Sequence, residues 1–193
     1  MEMKNNNGGR DNLGKRTKTI SILVISMIFI YAIFASIETV NLSSKTVDEA
    51  FEKFINSEFK TEVAQSEIGD KEFYRIGNYT FVPFEVGNNV SFVQFEKGIF
   101  GWKDTYYSQD EDRDYSYSSV VDELNEDILL HGVIPKDIVT ETKTIKVNGI
   151  DADIVILNEK TRIWILMNNN NQKNFSNINI DFLDNVGNII GKM

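Results

Sequence analysis

The chain has 193 residues, with 20 Lys and Arg against 29 Asp and Glu for a formal net charge of -9, one His and no Cys. The lack of cysteine excludes disulfides, thiolate metal sites, a Cys nucleophile and the lipid-modified Cys of a bacterial lipoprotein. Five of the basic residues and two of the acids fall in residues 1–37, which leaves 15 basic and 27 acidic residues in 38–193; that acidic part repels phosphate polymers, so nucleic acid is a poor partner and cations or basic proteins suit it better.

Residues 1–18 read as a basic cytoplasmic tail, and the first fourteen, MEMKNNNGGRDNLG, are polar and aperiodic, which predicts disorder. Residues 19–37, TISILVISMIFIYAIFASI, contain no charge, Gly or Pro. As a helix this run is roughly 28 Å long, close to the roughly 30 Å hydrocarbon thickness of a bilayer, so a transmembrane helix is expected. Ser21 and Ser26 are tolerated there because their hydroxyls can bond back to the helix backbone. A cleaved signal peptide is the competing reading. Its apolar region is usually about 7 to 15 residues and ends in a small-x-small site; the best match here, Ile33-Phe34-Ala35, begins with a bulky side chain. Lys15, Arg16 and Lys18 abut the front of the run and Glu38 is the first charge behind it, which places the N-terminus in the cytoplasm and the acidic part outside the cell membrane.

Residues 38–45 read as a connector, after which Thr46-Val47-Asp48-Glu49 has the S/T-x-x-E pattern of a capping box. Val47, Ala50, Phe51, Phe54 and Ile55 then fall at helical spacing, predicting an amphipathic helix of about three turns. TEVAQSEI, EFYRI, YTFVPFEV, VSFVQFEK and IFGWKDTYY follow as short aromatic and β-branched runs separated by Gly-containing turns, the pattern of an antiparallel meander, so 46–107 is expected to form a helix-plus-meander lobe. Pro83 predicts an edge strand or a bulge, since it cannot donate to a ladder. Residues 104–119, DTYYSQDEDRDYSYSS, are polar and aperiodic and read as a surface loop, its acidic Tyr-rich part being 108–119.

A second lobe is expected over 120–193. VVDELNEDILLHGVI is consistent with either helix or strand. Asn148-Gly149 between alternating runs predicts a type I′ hairpin, because both residues tolerate positive φ. Ile145 and Val147, then Ile150, Ala152, Ile154 and Ile156, are expected to face one way with Asp151 and Asp153 opposite; Ile163, Ile165 and Met167, then Ile178, Ile180 and Phe182, extend the pattern to four strands with one buried face. Gly187 predicts the closing turn.

SFVQFEKGIFGWKDTYYS and GVIPKDIVTETKTIKVNGIDADIVILNEKTRIWILM with INIDFLDNVGNII together resemble single-span exported proteins of Bacillus and related Gram-positive bacteria, in which a helix and a meander ending in Gly-Trp-Lys precede a β-module that closes on a D-x-x-G turn. The resemblance implies a bacterial extracytoplasmic address and this fold; that group has no defined active site, so it implies no activity.

Chemistry-bearing residues are few. His131 is the one imidazole, and no G-x-S-x-G surrounds a serine, so a nucleophilic triad lacks its parts. Asp110, Asp112 and Asp114 are the candidates for an oxygen-ligand calcium site, although an EF-hand counted from Asp110 has Tyr115 and Val121 where Gly and Glu are needed. Tyr106, Tyr107, Tyr115 and Tyr117 are candidates for an adaptable contact surface, with packing back onto the domain the favoured alternative. Trp102 and Trp164 suit either a sugar platform or, more simply, the core. No cofactor is expected. These observations predict an α+β, mainly antiparallel β protein: one N-terminal transmembrane helix, then an ectodomain with an amphipathic helix and two β-meander lobes. A non-enzymatic interaction or sensing module acting on a membrane or envelope protein is the expected function; a carboxylate-based envelope hydrolase and a calcium-stabilised cell-wall-zone domain are the alternatives.

Overall fold

The computed structural model describes residues 8–60, 66–110, 117–122, 127–168 and 177–193. Helix α1 runs Gly8–Leu42. Residues 8–14, expected in the disordered tail, and 38–42, expected in the connector, are therefore helical: with no proline in the way, each residue added to an existing helix gains a hydrogen bond at little cost. Within α1, Lys18–Leu42 is long and apolar enough to cross a membrane; its most apolar 18-residue window has a mean hydropathy of 2.6 and none of that window is buried.

Helix α2, Val47–Glu58, begins at the expected capping box. Glu49 N–H donates to Thr46 Oγ1 at 3.2 Å, while Glu49 Oε2 accepts from the N–H groups of Thr46 at 3.4 Å and Lys45 at 3.0 Å. Removing the capping hydroxyl in Thr46→Ala is expected to lower stability by about 1 kcal/mol, read from urea unfolding midpoints. Ala50, Phe51, Phe54 and Ile55 form the buried stripe of the helix.

That stripe lies on a five-stranded antiparallel sheet made of β1 (Ile68–Lys71), β2 (Tyr74–Ile76), β3 (Tyr79–Val86), β4 (Asn89–Gly98) and β5 (Gly101–Asp110). The order is β1-β3-β4-β5, with β2 also on β3. Phe51 and Phe54 meet Phe84 edge-on at 5.3 and 6.3 Å between ring centroids. Pro83 does not mark a sheet edge: β3 has neighbours on both sides. Its carbonyl accepts from Glu72 N–H, so the position of its missing N–H faces the gap between β1 and β2. The neighbouring strand breaks where Pro83 has no donor to offer it.

The second sheet has seven strands in the order β12-β11-β8-β9-β10-β7-β6. They are β6 (Tyr117–Asp122), β7 (Asp127–Val133), β8 (Thr144–Val147), β9 (Ile150–Ile156), β10 (Arg162–Asn168), β11 (Ile180–Leu183) and β12 (Ile189–Lys192). Of the ambiguous 120–134 stretch, 120–122 and 127–133 are strand, while 123–126 lie outside the described residues. The Asn148-Gly149 hairpin has φ of 50° and 80° at its two turn residues, and Gly187 turns at φ 88°.

The sheet is larger than the four strands expected, and it is buried on both faces where one was expected. One face, with Leu130, Ile145, Val147, Trp164, Ile180 and Phe182, surrounds a core of its own. The other carries Leu129, Val133, Val155, Ile163 and Ile165 against Tyr79, Phe81, Val90 and Phe92 of the first sheet. β3 and β4 alternate accordingly, sending Val82, Phe84, Val93 and Phe95 to α2 and the intervening residues to the second sheet. Ile156, expected on the buried side, is 57% exposed, because the cover ends before the strand does.

Candidate functional site: the junction between the apolar helix and the sheet

The last turn of α1 closes on serine and threonine. Ser36, Thr39 and Ser43 hydroxyls each donate to the carbonyl four residues back, at 2.7, 2.7 and 2.8 Å, which satisfies polar side chains on a helix that has no other partner there. Immediately beyond, the chain is fastened to the body. Ser44 N–H donates to the Trp102 carbonyl and Trp102 N–H to the Ser44 carbonyl, both at 2.8 Å. Lys53 of α2 donates its ammonium to the Asn41 carbonyl. Connector, helix α2 and strand β5 therefore meet within two or three residues of the end of the apolar helix.

Gly101 makes that meeting possible. Its φ of +124° is one that L side chains rarely adopt, and a Cβ there would lie 2.2 Å from the Ser44 carbonyl oxygen. Only glycine lets the connector backbone come this close. The Gly-Trp-Lys motif, where the resemblance has the meander end, is the start of the ten-residue strand β5, and the turn before it is Ile99-Phe100. Trp102 is 6% exposed, with the Arg75 guanidinium and Lys97 ammonium 5.2 and 5.9 Å from its ring. Trp164 is fully buried in the second sheet, so neither indole forms a surface platform.

The structure separates the remaining candidates. Tyr106 and Tyr107 lie on β5 and not in a loop, because that strand continues to Asp110 along β4. They point to opposite faces: Tyr106 meets His131 edge-on at 5.9 Å, and Tyr107 packs on Phe54 at 5.1 Å. Burial is the main cause that raises the Tyr107 hydroxyl above its ordinary pKa. Tyr117 is 42% exposed at the start of β6. Asp110 ends β5, while Asp112, Asp114 and Tyr115 lie outside the described residues. Among the described residues, no three His, Asp or Glu are grouped to hold a metal ion.

His131 sits between the two sheets, paired with Ile165 on one side and Ser118 on the other. Its ring stacks on Phe92 at 3.9 Å and 11°, and Nε2 has no hydrogen-bond partner among the described residues. Burial pushes its pKa down to about 3. A neutral imidazole sealed under aromatic rings lacks the substrate access a general base requires.

Along one margin the sheets are joined by polar contacts. The Tyr74 hydroxyl donates to Asp153 at 2.6 Å, Asn158 to Asp70 at 3.0 Å and Thr161 to Glu85 at 2.9 Å. Burial first, then the Asp153 carboxylate, raises Tyr74 to about 12. An open groove of about 400 Å³ beside them is lined by Glu85, Asn88, Asn158 and Thr161. No known protein family, curated protein or solved structure matches this chain.

Proposed function

We propose that α1 is an uncleaved single-pass anchor with its N-terminus in the cytoplasm, and that the following body is an extracytoplasmic, non-enzymatic interaction or sensing module acting on another membrane or envelope protein. The observation that carries this reading is the contrast at Leu42. Before it, the most apolar 18-residue window of Lys18–Leu42 has no residue buried in the protein; after it, the connector is bonded to β5 within two residues. Apolar surface left wholly bare is stable only in lipid, and a body stitched to the end of that helix is held at the membrane surface. The bonds from Lys53 and Trp102 to residues 41 and 44 join the helix end to the body. The sealed position of His131 supports a binding role over an imidazole-dependent reaction.

Protease added to intact cells that carry the full chain with an N-terminal tag is expected to degrade the body and spare the tag, with the undigested protein sedimenting at full length with the membranes. A shorter, soluble chain released into the medium would replace the anchor with a cleaved leader. Full protection in intact cells would reverse the orientation.

A further inference from the structure

The described hairpin turns of the first sheet differ in chemistry. Gly77-Asn78 and Gly87-Asn88 are the small polar residues that such turns favour, but the β4–β5 turn is Ile99-Phe100, with Ile99 97% and Phe100 48% exposed. This apolar turn lies next to the end of α1. Leu42 and Ser44 are two residues apart, so at most about 7 Å separates the end of the helix from Ser44, and the strand it bonds lies about 5 Å further on. The interfacial zone on each side of a bilayer is itself about 5 to 7 Å deep. Ile99 is three residues from Trp102 and thus within about 10 Å of it. Cations gather at this end of a body that is acidic in sum: Arg75 and Lys97 flank the Trp102 ring, and Lys45 and Lys103 adjoin the bonded pair, interspersed with the acids Glu49, Glu96 and Asp104.

Resting on the anchor reading above, we infer that the β4–β5 turn is a second membrane contact, with Ile99 and Phe100 seated in the headgroup zone of the leaflet into which α1 emerges and the surrounding Lys and Arg facing anionic lipid. One span alone lets the body swivel about its connector. A second contact fixes which face of the body is turned toward the membrane and which toward a partner. Apolar side chains ringed by Lys and Arg are the composition that interfacial elements use.

The chain has no native cysteine, so an introduced thiol takes a label uniquely. Ile99→Cys, Asn88→Cys and Met27→Cys chains, each full length, carry an environment-sensitive fluorophore and are reconstituted into phosphatidylcholine–phosphatidylglycerol vesicles. Ile99 and Asn88 are at opposite ends of the first sheet, and Met27 is in the middle of the apolar segment. The label at 99 is expected to lose fluorescence to lipid with a nitroxide near the headgroup and to be shielded from aqueous acrylamide. The label at 88 stays open to acrylamide, and the label at 27 is quenched by a nitroxide deep in the acyl chain. A label at 99 as accessible as that at 88, with the label at 27 quenched, overturns this contact, leaves the span standing and reassigns the turn to a protein partner. Absence of deep quenching at 27 overturns the span and, with it, this inference.

Discussion

Gly101→Ala is expected to destabilise the body by about 3 to 5 kcal/mol, because the new methyl group meets two obstacles at once. The φ of +124° is strained for any L side chain, at about 1 to 3 kcal/mol, and a Cβ 2.2 Å from the Ser44 oxygen forces the connector away. Parting Ser44 from Trp102 gives up two backbone hydrogen bonds, each a net contribution of about 1 kcal/mol. Gly149→Ala isolates the backbone component, since its φ is +80° but nothing lies within 4 Å of the new Cβ; about 1 kcal/mol is expected. Gly98→Ala has neither problem and should change stability by no more than about 0.5 kcal/mol. Urea midpoints followed by tryptophan fluorescence on the full chain in detergent rank the three. If Gly101→Ala behaves like Gly98→Ala, the connector is not held against β5.

The second large effect is acid lability centred on His131. Its folded-state pKa of about 3 lies below its ordinary 6.5, so above 6.5 the residue is neutral in both states and its burial is uncharged. As pH falls below 6.5 the unfolded chain takes up the proton first, and stability is lost at about 1.4 kcal/mol per pH unit until the folded state also protonates. Between about pH 7 and about pH 4.5 the loss is expected to be on the order of 3 kcal/mol. Asp184 acts in the same direction but lower: hydrogen bonds, that from the Asn188 side chain foremost, hold its carboxyl below its ordinary 3.8, so its contribution is complete above that value and fades only beneath it. In His131→Leu the slope above about pH 4.5 should largely vanish. Equal slopes for the two proteins would show that the imidazole is not sealed between the sheets.

What could be read from the residues alone was what depends on near neighbours. The capping box at Thr46 and Glu49 and the Asn148-Gly149 turn involve atoms only a few positions apart, and both formed as their chemistry required. Strand alternation also held within β10, where Ile163, Ile165 and Met167 share a face, but that face is opposite the one bearing Ile145, Val147, Ile180 and Phe182, so the single buried face expected for these strands does not form. The misreadings fall where distant chain segments meet. Val155 is buried because it faces the first sheet, while Ile156, on the opposite face with Ile154, is exposed at the strand end; no period within IDADIVI encodes either. Tyr106 and Tyr107 looked like loop residues beside an acidic tract, yet their rings complete two separate cores built by His131 and Phe54. Gly101 was visible only as one residue of the run IFGWKDTYY, since the carbonyl it accommodates comes from Ser44, far back in the chain. The junction itself was therefore not legible, although both of its parts were.

The face of the first sheet that bears Tyr79, Phe81, Val90 and Phe92 is covered by apolar residues of the second sheet, of which none precedes Val120. A polypeptide emerging amino end first therefore finishes all five strands of that sheet while this face is still bare. Its large rings wait in water for the remainder of the chain to arrive, the interval in which a nascent protein is most open to association with other copies. Truncation anywhere before the second sheet is complete would make that temporary vulnerability permanent.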